Sequence, residues 1–250
     1  MKVLIIVPTY NEAQSLKRVI DHLKDICPQY DYIIINDGST DQTKEICEEN
    51  RYQVIHHPVN MGLAEAMRTG MVYALEHGYD MVLQFDADGQ HLPEYIEDMV
   101  TCMEENNYDI VIASRFYGTK MPLRMRTVGS KMISAAICMT TGKYLTDPTS
   151  GMRLYSRNII KLLMENTKFA PEPDTVAYLI RMGADVHEVK VEMEERKSGK
   201  SYLTPINATK YMIRELLSIL IFQWTWKKIE IENVAGRCKK IKKRGISRSA

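Results

Sequence analysis

Five short runs of aliphatic and β-branched residues, at 2–7, 32–36, 53–56, 81–85 and 109–113, alternate with stretches of helical hydrophobic period. Parallel strands cannot be joined by a two-residue turn, because each pair needs a crossover long enough to hold a helix. The alternation therefore predicts an α/β fold: a mostly parallel sheet flanked by helices on both faces. Helices are expected at 13–26, up to about residue 50, and at 63–77 and 93–106, the last opened by Pro93 at a first-turn position. Asn11, with Gln14 three residues on, reads as a capping pair for the first helix, and Pro8 reads as the end of the first strand. After Arg115 the rhythm breaks. An irregular stretch at 116–126 leads to a small-residue-rich helix at 128–141, a turn at 145–151, a strand at 152–155, helices at 158–165 and 173–182, and a strand-like alternation at 186–193. A basic loop at 194–202 precedes an amphipathic helix at 205–226. The expected organisation is one catalytic domain over 1–204, an amphipathic helix within 205–228 and a basic tail over 229–250.

Charge narrows the function classes. The 250 residues carry 33 Lys and Arg against 32 Asp and Glu, so the whole chain has no field suited to nucleic acid. From Arg237 to Arg248 the tail differs: Arg237, Lys239, Lys240, Lys242, Lys243, Arg244 and Arg248 occur there with no acid among them. Five cysteines, widely spaced and without a Cys-x-x-Cys pair, point to a reducing compartment and no cysteine metal site. The chain enters its first strand directly after Met1-Lys2, which argues against export. No segment offers the ~20 apolar residues of a membrane span, since residues 213–226 are interrupted by Arg214 and Glu215.

The chemistry concentrates at Asp86-Ala87-Asp88-Gly89-Gln90-His91, directly after an apolar run. Two carboxylates one residue apart would face the same side if the strand pleat continued. Such a pair suits a hard divalent cation that fills its remaining shell with water and phosphate oxygens, and Gly89 permits a sharp turn beside the ligand. The bland alternative is a strand ending in a polar turn. The carboxyl end of an α/β strand, where such sheets bind ligands, favours the cation.

Taken with Val7-Pro8-Thr9-Tyr10-Asn11-Glu12, Asn36-Asp37-Gly38-Ser39-Thr40-Asp41, Ala113-Ser114-Arg115-Phe116 and Asp147-Pro148-Thr149-Ser150-Gly151-Met152-Arg153, that turn resembles the family-2 glycosyltransferases. These have the GT-A (Rossmann-like) fold, and the likeness is to the polyprenyl-phosphate sugar transferases related to dolichyl-phosphate mannose synthase. Asn36 stands where many relatives carry aspartate, which puts the nucleotide contact on Asp37. The resemblance implies that Pro8, Tyr10, Glu12 and Asp37 hold the nucleoside of a UDP- or GDP-linked sugar, with Ala87 beside it. It implies that Asp86, Asp88 and Gln90 hold Mg²⁺ or Mn²⁺ on the diphosphate, that Arg115, Arg126 and Ser130 receive an acceptor phosphate, and that Arg196, Lys200 and Ser201 close over the donor. Other readings stand beside these: Asn11, Ser39 and Asp41 as helix caps, His91 as support for the acids rather than a ligand, Arg124 and Arg126 as solvated charges, and the basic loop as a hairpin tip.

The activity so implied is inverting transfer of a hexose or N-acetylhexosamine to a polyprenyl phosphate on the cytoplasmic face of the membrane. The alternative acceptor is a sugar hydroxyl, which needs a general base, with Asp147 as the candidate. The alternative of another class is a non-catalytic subunit that binds nucleotide sugar. Phe222-Gln223-Trp224-Thr225-Trp226 and the basic tail suit a peripheral membrane anchor or docking to a small integral-membrane partner, against a bland reading in which the helix packs on its own domain.

Overall fold

The computed structural model describes residues 1–119, 125–165, 172–194 and 205–221. Seven strands form one sheet: β1 (Val3–Thr9), β2 (Asp31–Asn36), β3 (Val54–His56), β4 (Met81–Gln84), β5 (Ile110–Ser114), β6 (Arg153–Ser156) and β7 (Val186–Lys190). The order across it is β3-β2-β1-β4-β6-β5-β7, parallel throughout except for β6, which runs against both neighbours. The helices are α1 (Leu16–Ile26), α2 (Thr43–Glu49), α3 (Leu63–Glu76), α4 (Ile96–Asn106), α5 (Met125–Thr141), α6 (Arg157–Glu165), α7 (Pro173–Arg181) and α8 (Pro205–Leu220). A single 3₁₀ turn at Pro93–Tyr95 leads into α4.

Two cores flank the sheet. Leu16, Val19, Ile20 and Leu23 of α1 join Ile96, Met99 and Val100 of α4 on one face, over Ile5, Val7, Leu83 and Val111. On the other face α3, α5, α6 and α7 cover Leu4, Ile6, Val82, Ile110 and Ile112. Alternation along each strand assigns successive side chains to opposite cores, which is why the central strands read as continuous apolar runs.

Two expectations near the first strand need correction. β1 continues through Pro8 to Thr9 rather than stopping at Pro8. The last β1–β4 pair is Ile6 with Gln84, so Pro8 falls where β4 has already left the ladder and its missing N–H breaks no bond. Asn11 does not cap α1, which starts later than expected. It sits at φ 55°, and its Oδ1 accepts from the N–H of Thr40 at 2.8 Å, so it fastens the loop after β1 to the loop after β2. Asp41 does serve α2, accepting from Thr43 N at 3.0 Å.

α8 is fastened to the domain by side chains. Met212 lies over Gly129 of α5, where an added Cβ would come within 2.5 Å of its terminal methyl. Ser218 Oγ donates to Asp174 Oδ2 at 2.6 Å, the Asp174 N–H donates to Glu215 Oε2 at 3.2 Å, and Arg214 donates to Glu172 and Glu215. Glu215 has no exposure, and the oxygens of Glu172, Asp174 and Glu215 lie within 4.8 Å of one another. Burial, and then the Asp174 and Glu172 carboxylates, push Glu215 up to about 8. A carboxyl raised in this way binds its proton more tightly folded than unfolded, so stability falls as pH rises from the ordinary value of 4.5 through about 8. Thermal melts should therefore show Tm declining across that window. Glu215→Gln, which copies the protonated form, should raise Tm by roughly 2–4 °C above pH 8 and make little difference at pH 4.5.

Candidate active site

β1, β2, β4, β5 and β7 point their carboxyl ends to one edge of the sheet, and antiparallel β6 brings the loop before it, residues 147–152, to that same edge. Open α/β sheets take ligands at this edge. Pro8, Tyr10, Glu12, Asp37, the acidic turn, Arg115 and Asp147 all fall along it.

At the acidic turn, Phe85 and Ala87 point into the α1/α4 core, while Asp86 points toward the loop before β6. Ala87, 3% exposed as a whole residue, is thus a core contact rather than an open contact for a donor. Asp88 is not placed by the strand pleat, because β4 ends at Gln84. It is held in a turn of its own making, with Oδ1 accepting from the Gln90 N–H at 3.0 Å. Asp86 is one-third exposed, with Oδ2 3.4 Å from His91 Nε2 and Oδ1 3.4 Å from the Gln84 amide. Burial works to raise its carboxyl, but His91, Gln84 and the Arg153 charge outweigh that and hold it below the ordinary value. Asp86 is therefore ionised at neutral pH, as a hard cation requires of its ligands. The oxygen-only set of Asp86, Asp88 and Gln90, all partly exposed, fits Mg²⁺ or Mn²⁺ in character. His91 is 5% exposed and sits behind Asp86 as a support.

Gly151 sets the depth of this corner. A Cβ built on it would lie 2.1 Å from Asp86 Oδ2 and 3.3 Å from His91 Nε2, so any side chain there displaces the carboxylate. The loop carrying it is held from inside by Arg153, 3% exposed, which donates from Nε to Ser150 O at 2.8 Å and from Nη2 to Pro148 O at 2.7 Å.

Past the ends of β1 and β2, Tyr10 is 36% exposed and free to pack on a ring. Glu12 accepts from Ser15 Oγ at 2.8 Å. Asp37 is 3% exposed and largely engaged: Oδ1 takes bonds from His57 Nδ1 at 2.8 Å and Met61 N at 2.9 Å, and Oδ2 from Gly62 N at 2.7 Å. A carboxylate has about four acceptor positions, so one remains for a ligand. Its first task is to hold the loop of residues 57–62 against the end of β2.

Past the end of β5, Arg115 makes a paired fork with Asp147, Nε to Oδ2 at 2.6 Å and Nη2 to Oδ1 at 2.9 Å. That fork raises the guanidinium pKa, against the opposing effect of burial. Asp147 has no exposure, and both its oxygens are taken, so it offers no open site for a substrate proton. The Arg115 side chain remains 38% exposed and lines a cleft of about 470 Å³ with Thr119, Lys190, Val191, Glu192 and Met193. Ser130 is 4% exposed, its Oγ 3.4 Å from Thr149 Oγ1. Arg126 falls in the first turn of α5 with its side chain outside the described residues. Arg124, Arg196, Lys200, Ser201, Phe222, Trp224, Trp226 and the basic tail also lie outside them. The segment leading to Arg196 is fastened to the acidic turn, since Glu194 N donates to Gln90 O at 3.0 Å.

Sequence reasoning missed Gly151 as a packing requirement and Glu188 altogether. Gly151 carried a usable signal, a glycine closing a polar turn, whereas Glu188 reads as the polar half of an ordinary alternating strand.

Comparison with known proteins gives the family. Residues 4–163 match the model of the glycosyl transferase family 2. The chain is 31% identical over 217 residues to an undecaprenyl-phosphate mannosyltransferase of Micrococcus luteus, covering 82% of this chain and 88% of that protein. It is 29% identical over 227 residues to a polyprenol monophosphomannose synthase of Mycolicibacterium smegmatis, covering 85% of each. A glucosyl-3-phosphoglycerate synthase of Mycobacterium tuberculosis, solved with Mn²⁺, UDP and phosphoglyceric acid, superposes with a TM-score of 0.67 at 20% identity, over 88% of this chain and 78% of that one. The chain belongs to glycosyl transferase family 2, an enzyme family, and has its GT-A fold.

Gly151→Ala should leave the fold intact while moving Asp86 by about an ångström. Displacement on that scale lowers turnover by on the order of 100-fold. Metal-dependent nucleotide binding, measured by calorimetry with and without Mn²⁺, should weaken in parallel.

Proposed function

We propose that this enzyme transfers a hexose or N-acetylhexosamine from a UDP- or GDP-linked sugar to a polyprenyl phosphate, with inversion at the anomeric carbon. The observation that carries the reading is the engagement of Asp147 by Arg115. A sugar-hydroxyl acceptor needs a base to remove its proton, and the one carboxylate suggested for that role is buried and bonded through both oxygens. A phosphate acceptor arrives already ionised and needs instead a cation with a fixed orientation, which a forked arginine provides.

In this reading Pro8, Tyr10, Glu12 and the remaining position on Asp37 hold the nucleoside. Asp86, Asp88 and Gln90 would hold a divalent cation, Mg²⁺ or Mn²⁺, which would supply positive charge to steady the leaving diphosphate. Arg115, with Arg126 and Ser130 of α5, holds the acceptor phosphate in line behind the anomeric carbon. One phosphate oxygen forms the new bond to that carbon, the bond to the diphosphate breaks, and the electron pair leaves with the nucleoside diphosphate. Arg196, Lys200 and Ser201 close over the donor and exclude water, which protects it from hydrolysis.

The acceptor's lipid tail needs an apolar surface. Val128, Met132 and Met139 of α5 and Ile213, Leu217, Leu220 and Ile221 in and just after α8 are large hydrophobic side chains exposed on two packed helices. This supports peripheral attachment to the inner face of the membrane, with the residues after 221 and the basic tail adding attraction to anionic lipid of about 1 kcal/mol per charge. A small integral-membrane partner would serve the same surface. Among the described residues no helix is long and apolar enough to cross a membrane.

Radiolabelled nucleotide sugars incubated with the enzyme and polyprenyl-phosphate-containing membranes should transfer label into the organic-extractable fraction. Chelator should abolish that label, and Asp88→Ala should reduce it by on the order of 100-fold or more. Donor consumption with label only in water-soluble product would overturn the lipid acceptor.

A further inference from the structure

A buried glutamate on β7 organises the acceptor side from behind. Glu188 is 4% exposed and accepts three bonds from a single segment: Thr146 N at 2.7 Å, Thr146 Oγ1 at 3.0 Å and Asp147 N at 2.8 Å. A buried carboxylate without such partners would be strongly destabilising, so the three bonds hold the segment and the carboxylate to one arrangement. Thr146 is also pinned from β5, its Oγ1 2.6 Å from Ser114 Oγ.

The segment so held carries the two groups that touch the acceptor-site residues. Asp147 takes the fork of Arg115 and also lies 3.3 Å from the Arg115 N–H, so both the side chain and the backbone of Arg115 are referred to it. Two residues on, the Thr149 hydroxyl lies 3.3 Å from Asp147 Oδ1 and 3.4 Å from Ser130 Oγ. One loop thus links Arg115 at the end of β5 to Ser130 on α5, and Glu188 sets where that loop sits. β7 then continues directly into the cleft wall with Lys190, in register with Ser114, the residue before Arg115.

The fork with Asp147 uses Nε and one side of Nη2. A guanidinium has five N–H donors, so the Nη1 side and the second Nη2 hydrogen remain for an incoming anion. Where those donors point is decided by where Asp147 sits, and Asp147 is held through its own backbone N–H by Glu188.

We propose that Glu188 is a positioning residue for acceptor-phosphate recognition, acting through Asp147 to aim Arg115 and through the same loop to hold Ser130. This rests on the polyprenyl-phosphate reading above and extends it to a buried residue of β7 behind the cleft wall. Asp147 is on this account an orienting group and not a base.

The decisive variant is Glu188→Gln, which keeps the shape but turns one acceptor oxygen into an N–H donor, facing either the Asp147 N–H on one side or the Thr146 N–H and hydroxyl on the other. Farnesyl phosphate serves as a soluble isoprenyl phosphate probe, and UDP or GDP with Mn²⁺ as the donor-side probe, whichever the wild type binds. In Glu188→Gln the Kd for farnesyl phosphate should rise about tenfold and that for the nucleotide should stay within twofold. Arg115→Ala should show the same selective loss, and the double variant should lose clearly less than the sum of the two single losses, since the glutamate acts in part through the arginine. If Glu188→Gln does not fold, Thr146→Val removes one bond to the same carboxylate and should give a smaller loss in the same direction. Equal losses for both probes, or additive losses in the double variant, would overturn the positioning role. Unchanged farnesyl phosphate binding in Glu188→Gln, or in Thr146→Val if only that variant folds, would overturn it too, leaving the acceptor reading in place. No binding of farnesyl phosphate by the wild type would remove the acceptor reading itself and this inference with it.

Discussion

The site depends on β6 running against its neighbours. Because β6 is antiparallel to both β4 and β5, the loop before it emerges at the edge where β4 and β5 end. Gln84 pairs with Arg153, and two residues outward on each chain Asp86 meets Gly151. The same loop places Asp147 against Arg115 just past the end of β5. A parallel strand in that position would deliver its leading loop to the far edge, leaving Asp86 without its corner and Arg115 without its fork. The reversal therefore joins the acidic turn and Arg115 through one short segment.

Electrostatics at that edge divides carboxylates by task. Asp37, Asp147 and Glu188 are each almost fully buried, and each is engaged by several donors from the chain. Ionised groups withdrawn from water persist only when paired or multiply bonded, so these three hold backbone and arginine in place. Burial raises the Glu188 carboxyl, and its bonds from Thr146 and Asp147 work against that rise. Asp86 and Asp88 keep partial exposure, and Asp86 is held ionised by its neighbours. Partial exposure sets these two apart from the buried three, so the difference between a fastening acid and one that can meet a ligand lies in what each already holds.

The fold was legible in the order of the sequence. Short aliphatic runs alternating with helical stretches dictate parallel strands and crossovers, because a parallel connection has no short solution. Most element boundaries fell within two or three residues of expectation for the same reason. The exceptions were local: Pro8 inside β1 and Asn11 away from the α1 cap. In both cases a partner from a distant part of the chain decided, the end of β4 for Pro8 and the loop after β2 for Asn11. Propensity describes a residue's own preferences and carries no information about such partners.

The sequence by itself determined the chemistry available: two carboxylates and a glutamine beside a glycine, an arginine after the fifth strand, a polar turn ahead of the sixth, and a family whose motifs recur in order. Those are properties of residue type and spacing, which survive without coordinates. Only the tertiary structure decided which groups remain open. Asp147 looked like a candidate base until the Arg115 fork closed both its oxygens, and Asp37 looked like an open nucleotide contact until the loop of residues 57–62 took most of its lone pairs. Glu188 was invisible as a functional residue because its role lies in three bonds to residues more than 40 positions away. Lone pairs are shared among groups that meet in space, and which groups meet is set by the sheet order and by the one strand that runs backwards.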